Sequence, residues 1–406
     1  MAIAEVNFVS GGTVTSPQGF HAGATYAGIK EEAENILDLG ILFSEVPCKT
    51  AALFTSSKIK SATVTLCQQK IQKGSAVALV VNSGCANAYT GEQGLADANE
   101  MVNLAAEAIG EPPEEVLVAS TGVTGQLLPM KLIKDGISQI ILSHDGGHEL
   151  ARAILTTDTV PKETAIAVKA GSSEFTIGGI AKGSGMIHPA LATMFCFLTT
   201  DAAVELHFLR SALQKAVDVS FNMISVDGDM SPSDTVLFMA NGLAENEPIS
   251  SGSQLADTFQ QALDKVCIYL AKALVRDGEG ATKLIEVTVD GAISVAEARL
   301  AARTIVSSSL VKAAMHGSDP NWGRILMALG QSGIEVIESK IDLYLGDINV
   351  LKGGRPLPFS IQRAVQVLKQ SEAFINVHLN LGTASATAWG CDLSNEYITI
   401  NSQYMT

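Results

Sequence analysis

Residues Ile180–Ala202 read IAKGSGMIHPALATMFCFLTTDA, and the rest of the chain is organised around them. Just upstream, EFTIGGIA (Glu174–Ala181) is β-branched and bounded by glycine, the pattern of a strand. Gly183 and Gly185 then let the backbone turn sharply. Past His188 and Pro189, the small residues Ala190, Ala192 and Thr193 lead into the apolar run Met194–Leu198. A threonine placed there reads in two ways. Its hydroxyl can be buried and bonded to a neighbouring carbonyl. Alternatively, Ala192–Thr193 is a self-cleaving bond. The Thr193 hydroxyl attacks the preceding carbonyl, an ester forms, and water releases a new N-terminus on Thr193. A free α-amine has an ordinary pKa of about 7.7–8. It can therefore serve as general base for its own hydroxyl at neutral pH.

Composition narrows the field. A 406-residue chain is too long for one simple core, so two lobes are expected. The chain is 47% hydrophobic with 36 glycines, which suits a packed enzyme with many tight turns. A formal charge of −15 argues against nucleic acid and anionic membranes as partners. The six cysteines are dispersed with no C-x-x-C, so neither a disulfide framework nor a cysteine zinc site is expected. His144 and His148 are four apart, but Gly146-Gly147 between them argues against a helical metal pair. The start, MAIAEVNFV, lacks the pattern of a secretory signal, and no apolar run reaches the ~18 residues of a membrane span. The expected location is the cytoplasm, or an organelle matrix if a transit peptide has been removed.

The remaining motifs follow in chain order. Residues 1–30 are rich in Gly, Pro and Ser and predict a looping entry. Leu37–Phe43, Ala51–Ser57 and Ala76–Gly84 read as strands, the last running into the polar turn Asn82–Ala88. That turn is either purely structural or lines a site. Apolar residues from Leu95 to Ile109 repeat at helical spacing, ended by Gly110 and Pro112-Pro113. A strand over EEVLVAS leads to Ser120-Thr121-Gly122, then G-Q-L-L-P-M to Met130. A Thr hydroxyl and a Gly amide at a strand end can donate to a developing oxyanion. Leu150–Leu155 reads as a short helix before Thr156-Thr157-Asp158-Thr159, either a capping cluster or a substrate contact. His207–Phe221 and Leu255–Val275 are amphipathic helices. Between them lies VDGDMSPSDT (Val226–Thr235), whose aspartates suggest a metal loop but which lacks the glutamate of a calcium loop, so calcium is a weak reading. Arg276–Lys283 (RDGEGATK) holds Glu279 between glycines at a helix exit. LIEVTVDGA is a strand, and Ser294–Glu297 is a capping box opening a helix that runs toward Met315. His316 and Arg324, in HGSDPNWGR, are tempting as catalytic groups, but a packed turn is the preferred reading. Lys340–Phe359 alternates as strands around Gly353-Gly354, strand and turn segments follow, and YITINSQYMT closes the chain.

K-G-S-G-M-I-H-P-x-x-A-T-M (Lys182–Met194) closely resembles the processing site of the ornithine acetyltransferase (glutamate N-acetyltransferase) family of arginine biosynthesis. The stretches around Thr15–Gly23, Asn82–Ala88, Thr121–Met130, Thr156–Thr159, Val226–Thr235, Asp277–Lys283 and Gly317–Arg324 resemble the same family, so the likeness spans nearly the whole chain. Ala190, Leu191, Phe195 and Ser233 stand where the family more often has Asn, Met, Leu and Asn. The first three bear on packing around the bond more than on its chemistry.

The resemblance implies an α+β fold of sheets flanked by helices, the family's own, related to self-processing aminopeptidases. It implies cleavage between Ala192 and Thr193 into an α chain (1–192) and a β chain (193–406), which assemble as an α2β2 heterotetramer. Thr193 becomes the nucleophile and carries the acetyl group. Thr121 and Gly122 form the oxyanion hole, while Thr156, Lys182, Glu279, Asn401 and Thr406 bind substrate. Acetyl passes by a ping-pong route from N-acetylornithine to glutamate, with no metal and no resident cofactor; some members also take acetyl from acetyl-CoA. Two rival readings are an aminopeptidase or amidase using the same threonine, and an uncleaved, non-catalytic relative.

Overall fold

The computed structural model describes residues 4–30, 36–188 and 194–403. Its strands, in chain order, begin with β1 (Glu5–Phe8), β2 (Phe20–Thr25), β3 (Leu39–Phe54), β4 (Ser75–Asn82) and β5 (Val116–Ser120). Then come β6 (Lys162–Ala170), β7 (Ser173–Lys182), β8 (Phe195–Thr200), β9 (Ile224–Ser225) and β10 (Thr235–Ala240). The last are β11 (Leu284–Ala292), β12 (Asp342–Leu345), β13 (Ile348–Lys352), β14 (Arg355–Pro356), β15 (Glu372–His378) and β16 (Ala384–Cys391). The helices are α1 (Ala62–Lys70), α2 (Gly91–Ile109), α3 (Met130–Ile137), α4 (Gly147–Ala153), α5 (Leu206–Asp218) and α6 (Ala256–Arg276). They continue with α7 (Val295–Ser307), α8 (Ser309–His316), α9 (Gly323–Gly330), α10 (Ile361–Leu368) and α11 (Asn395–Gln403).

Two mixed sheets result. The larger has nine strands in the order β1-β6-β7-β8-β10-β3-β4-β5, with β2 added on β3. The smaller has seven, β14-β13-β12-β15-β11-β16-β9. Strands β8 and β10 of the larger sheet are buried along their whole length and β4 along all but its first residue, as near-continuous apolar runs such as AVALVV and FCFL require. Helices α1–α4 cover one face of that sheet, and α5 and α6 the other. In α6 the buried residues Phe259, Leu263, Val266, Leu270 and Leu274 follow helical spacing. Burying each large aliphatic or aromatic side chain contributes roughly 1.5–3 kcal/mol. Lys272, on the same helix, reaches Glu286 of β11 at 3.0 Å. The two sheets share one hydrophobic core around α6, and a second core lies between the larger sheet and α1–α4. No helix among the described residues is long and apolar enough to cross a membrane.

The sheet is continuous across the segment holding the predicted cut. Strands β7 and β8 pair antiparallel from Ile177↔Thr200 to Lys182↔Phe195. Pieces 1–192 and 193–406 therefore contribute neighbouring strands to one sheet. The expected helices over residues 95–109, 207–221 and 255–275 are present as α2, α5 and α6, and Gly110 caps α2 with φ +76°.

Several expectations need correcting. The entry segment carries two strands, β1 and β2, because each finds a partner far away, in β6 and β3. Leu37–Phe43 and Ala51–Ser57 belong to one sixteen-residue strand, β3. The helix expected to run from 295 to 315 breaks at Ser308, which is extended and caps α8 through Val311 N. Gly146-Gly147 does not interrupt helical backbone but opens α4. A Cβ on Gly146 would lie 1.8 Å from the Ala22 carbonyl oxygen, so glycine is there for close packing. His148 Nδ1 pairs with Glu163 at 2.8 Å. Helices α1, α3, α9, α10 and α11 were not expected; each is only eight or nine residues long, too short for its apolar stripe to repeat more than about twice.

Candidate active site

The strand ends of the larger sheet open on a cleft of about 300 Å³. Its lining includes Thr121, Gly122, Thr156, Lys182, Glu279 and Asn401, six of the residues singled out from sequence. Ala192, Thr193 and Thr406, also singled out, lie outside the described residues.

Lys182 ends β7 and is only 2% exposed, although a lysine beside a glycine turn would ordinarily reach solvent. Its Nζ donates to Thr156 Oγ1 at 2.8 Å and Thr121 Oγ1 at 3.2 Å. Among the described residues it makes no ion pair within 4 Å. Burial lowers its pKa, and Lys162 adds to that, while Asp158, Asp234 and Glu279 oppose. A buried ammonium served only by hydroxyls is an anion site. Because both hydroxyl oxygens accept from Lys182, the protons of Thr121 and Thr156 are free to point elsewhere.

Thr121 and Gly122 are braced by the Asn82–Ala88 turn. Thr121 N donates to Asn82 O at 3.1 Å, Val123 N to Gly84 O at 3.2 Å, and Ala86 N to Val123 O at 2.9 Å. Gly122 has φ +126°, and a Cβ there would lie 2.3 Å from the Gly84 carbonyl carbon. Only glycine fits. The Asn82–Ala88 turn is therefore mainly a brace, with Ala86 its contribution to the lining.

The T-T-D-T motif forms a local turn and also lines the cleft through Thr156. Thr156 receives Lys182, while its N–H donates to Asp158 Oδ2 at 3.1 Å. Asp158 was not foreseen, and it ties the site together. It accepts from Gly183 N and from Lys162 Nζ, each at 2.6 Å. Burial opposes its charge, yet the Lys182 and Lys162 ammoniums hold its pKa below the ordinary value. Lys162 also pairs with Asp277 at 2.5 Å, and Asp277 takes Thr159 N at 3.0 Å. This buried network joins β6, β7 and the exit of α6.

Across the cleft stands Glu279, buried, with its N–H on Ser184 O at 2.8 Å. Asn401 Nδ2, on α11, donates to Glu279 Oε2 at 2.8 Å. A Cβ on Gly185 would fall 2.4 Å from that same oxygen, so glycine there lets the carboxylate approach. Asp227 accepts from Met186 N at 2.5 Å, Ile187 N at 3.0 Å and Tyr397 Oη at 3.2 Å. Its carboxylate thus clamps the backbone entering the processing segment. Burial raises its pKa, and the hydrogen bonds only partly offset this. Burial and the Asp227 carboxylate likewise raise the pKa of Tyr397.

His316 and Arg324 do not line the cleft. His316 Nδ1 meets Asp392 Oδ2 at 2.7 Å, and Arg324 donates to Leu310 O at 3.0 Å. Asp392 in turn accepts from Thr282 N at 2.7 Å and Lys283 N at 2.8 Å, bracing the loop that carries Glu279. The packed-turn reading of that motif holds.

Fold and cleft together define an α+β enzyme whose small cleft sets a buried cation, Lys182, against a carboxylate, Glu279. The ArgJ family matches residues 21–406. The chain is 50% identical over 401 residues to the arginine biosynthesis bifunctional protein ArgJ of Dehalococcoides mccartyi, covering 99% of both chains. It is 50% identical over 397 residues to the protein of the same name from Symbiobacterium thermophilum, covering 97% of this chain and 99% of that one. A crystal structure of the ArgJ protein of Bacillus halodurans is 45% identical with a TM-score of 0.50; the match covers 52% of this chain and 98% of that one. The chain belongs to the ArgJ family.

Proposed function

We propose that this enzyme moves acetyl from N-acetylornithine to glutamate through an acetyl-Thr193 intermediate. Acetyl transfer in arginine biosynthesis is the activity that family membership carries. The observation that carries the detail is the pairing of a buried, unneutralised Lys182 ammonium with the Glu279 carboxylate across one small cleft. N-acetylornithine presents a carboxylate and an ammonium, and such a cleft takes one at each wall. The Thr193 hydroxyl attacks the acetyl carbonyl, with the Thr121 hydroxyl and Gly122 amide receiving the oxyanion. Ornithine leaves with its amine restored. The glutamate amine then attacks the acyl-threonine ester, giving N-acetylglutamate and the free hydroxyl. Amide is exchanged for amide, so the overall step is close to balanced in energy.

Self-cleavage before Thr193 is part of this reading. The Bacillus halodurans chain matches along 98% of its own length but along only 52% of this one. A precursor cut near its middle leaves chains of that size. The relatives are named bifunctional proteins, which supports acetyl-CoA as a second acetyl donor here. The α2β2 assembly belongs to the same proposal. So does a cytoplasmic location, which six buried, unpaired cysteines support.

Intact mass under denaturing conditions tests the cut, with Thr193→Ala beside the wild type. Two fragments meeting at Ala192/Thr193 in the wild type, and one uncut, inactive chain in the variant, are expected. An alanine variant that cleaves and transfers acetyl would overturn the mechanism. Acetyl release measured with and without glutamate separates transfer from hydrolysis.

A further inference from the structure

One residue of the Val226–Thr235 motif has no role in the account so far. Asp234 is wholly buried at the entry to β10. Its Oδ1 accepts the Met194 N–H at 3.0 Å. The next residue, Thr235, donates its N–H to Met194 O at 3.2 Å and lies level with Phe195 in the parallel β10–β8 pair. Met194 is thus gripped at both backbone groups, and its N–H belongs to the peptide bond joining residues 193 and 194. The second oxygen, Oδ2, is buried and makes no hydrogen bond among the described residues. The nearby Thr55 hydroxyl commits its proton to Ser231 O at 2.8 Å.

Burial drives the Asp234 pKa well above the ordinary carboxylate value. The Met194 bond, the Lys182 ammonium and the neighbouring Thr55 and Ser231 hydroxyls offset that only in part. An ionised carboxylate would be more expensive in this buried place than a neutral carboxyl.

We propose that Asp234 is a positioning residue, pinning the 193–194 amide through Oδ1 and so fixing the backbone from which the nucleophile projects. The inference rests on Thr193 being that nucleophile. Asp234 stays protonated and neither gains nor loses a proton. In the cleavage step the Thr193 Oγ–carbonyl carbon bond forms, the bond from that carbon to the Thr193 nitrogen breaks, and the hydroxyl proton ends on the new amine. Water then hydrolyses the ester, leaving a carboxylate on Ala192 and the free Thr193 hydroxyl. Acyl transfer afterwards uses the same held backbone.

Asp234→Asn keeps a neutral acceptor, and Asp234→Leu removes it at similar volume. Cleavage is followed by intact mass over time, kcat and KM are measured on the cleaved fraction, and Tm reports the fold. We expect the Asn variant to cleave within about threefold of wild type. The Leu variant should cleave about 100-fold more slowly, its cleaved fraction showing a lower kcat at unchanged KM, as a misplaced reacting group does. A Leu variant that cleaves at the wild-type rate overturns the proposal, as does a folded Asn variant that fails to cleave. If the Leu variant does not fold, infrared difference spectra of wild type against Asp234→Asn decide. A protonated-carboxyl stretch at neutral pH, lost in the variant, is expected, and its absence overturns the assignment. Thr193→Ala run alongside separates the readings: cleavage there sinks the nucleophile, whereas cleavage in Asp234→Leu sinks only the positioning role.

Discussion

On one side of the cleft, Lys182 and Thr121 stand at or just beyond the ends of buried strands of the nine-stranded sheet. On the other, Glu279 sits in the loop between α6 and β11, and Asn401 on the last described helix. The first wall is cationic and rich in hydroxyls; the second is acidic. The first is fixed by sheet hydrogen bonds and by the Lys162–Asp158–Asp277 network. The second is held by loop contacts, among them the Asp392 brace. Precision of placement should therefore be greater on the strand-built wall, and substitutions there should cost more.

The largest expected effect is Thr121→Ala. Losing one oxyanion donor removes about 2.7–4 kcal/mol of transition-state stabilisation, or roughly 10²–10³ in kcat. Single-turnover acylation with N-acetylornithine reads it, and a near-wild-type rate would remove Thr121 from the oxyanion hole. Lys182→Met comes next. Removing the buried ammonium proposed to meet the substrate carboxylate costs about 2 kcal/mol or more, on the order of 30-fold in kcat/KM. Glu279→Gln keeps hydrogen bonding while losing charge, so roughly 10-fold is expected, with the larger effect on the substrate bearing a free side-chain amine. Steady-state kinetics on both substrates compares the two. If Glu279→Gln proves the more damaging, the loop-built wall dominates recognition and the comparison is wrong.

The smallest effect concerns Lys30, whose pKa falls to about 8 through burial, with Asp38 opposing and Lys182 adding to the fall. Between about 8 and the ordinary 10.5 the unfolded chain binds the proton and the folded chain does not. Stability contributed by this group therefore rises with pH through that window. Denaturant midpoints for wild type and Lys30→Met should diverge there in that direction, and parallel curves would show that Lys30 is not buried as a free amine.

Much of the frame could be read in advance, because periodicity is local. Runs such as Ala76–Asn82, and the stripes of α2 and α6, announce themselves within a dozen residues. The cleft residues were legible through motifs, not through physics alone. Lys182 shows the limit: its neighbours in sequence suggest a surface turn, and only strand pairing buries it. The ion pair of Lys162 with Asp277 spans 115 positions, and the grip of Asp234 on Met194 spans 40. Neither leaves a local pattern. Helix α11 was missed because it is short, weakly amphipathic and buries none of its described residues, so its apolar pattern is faint.

The pairing of β7 with β8 has a kinetic consequence. Before the bond breaks, the strands on either side of the segment are joined by a short connection, and folding is unimolecular. Afterwards the β7–β8 and β3–β10 ladders, the shared core and pairs such as Lys162–Asp277 keep the two chains together without a covalent link. Cutting costs the native state little, since no strand is lost from the sheet. Unfolding, however, lets the pieces diffuse apart, so recovery becomes a second-order encounter that weakens with dilution. The mature enzyme is then a product of its own history: it assembles once from one molecule, and its persistence depends on the height of its unfolding barrier.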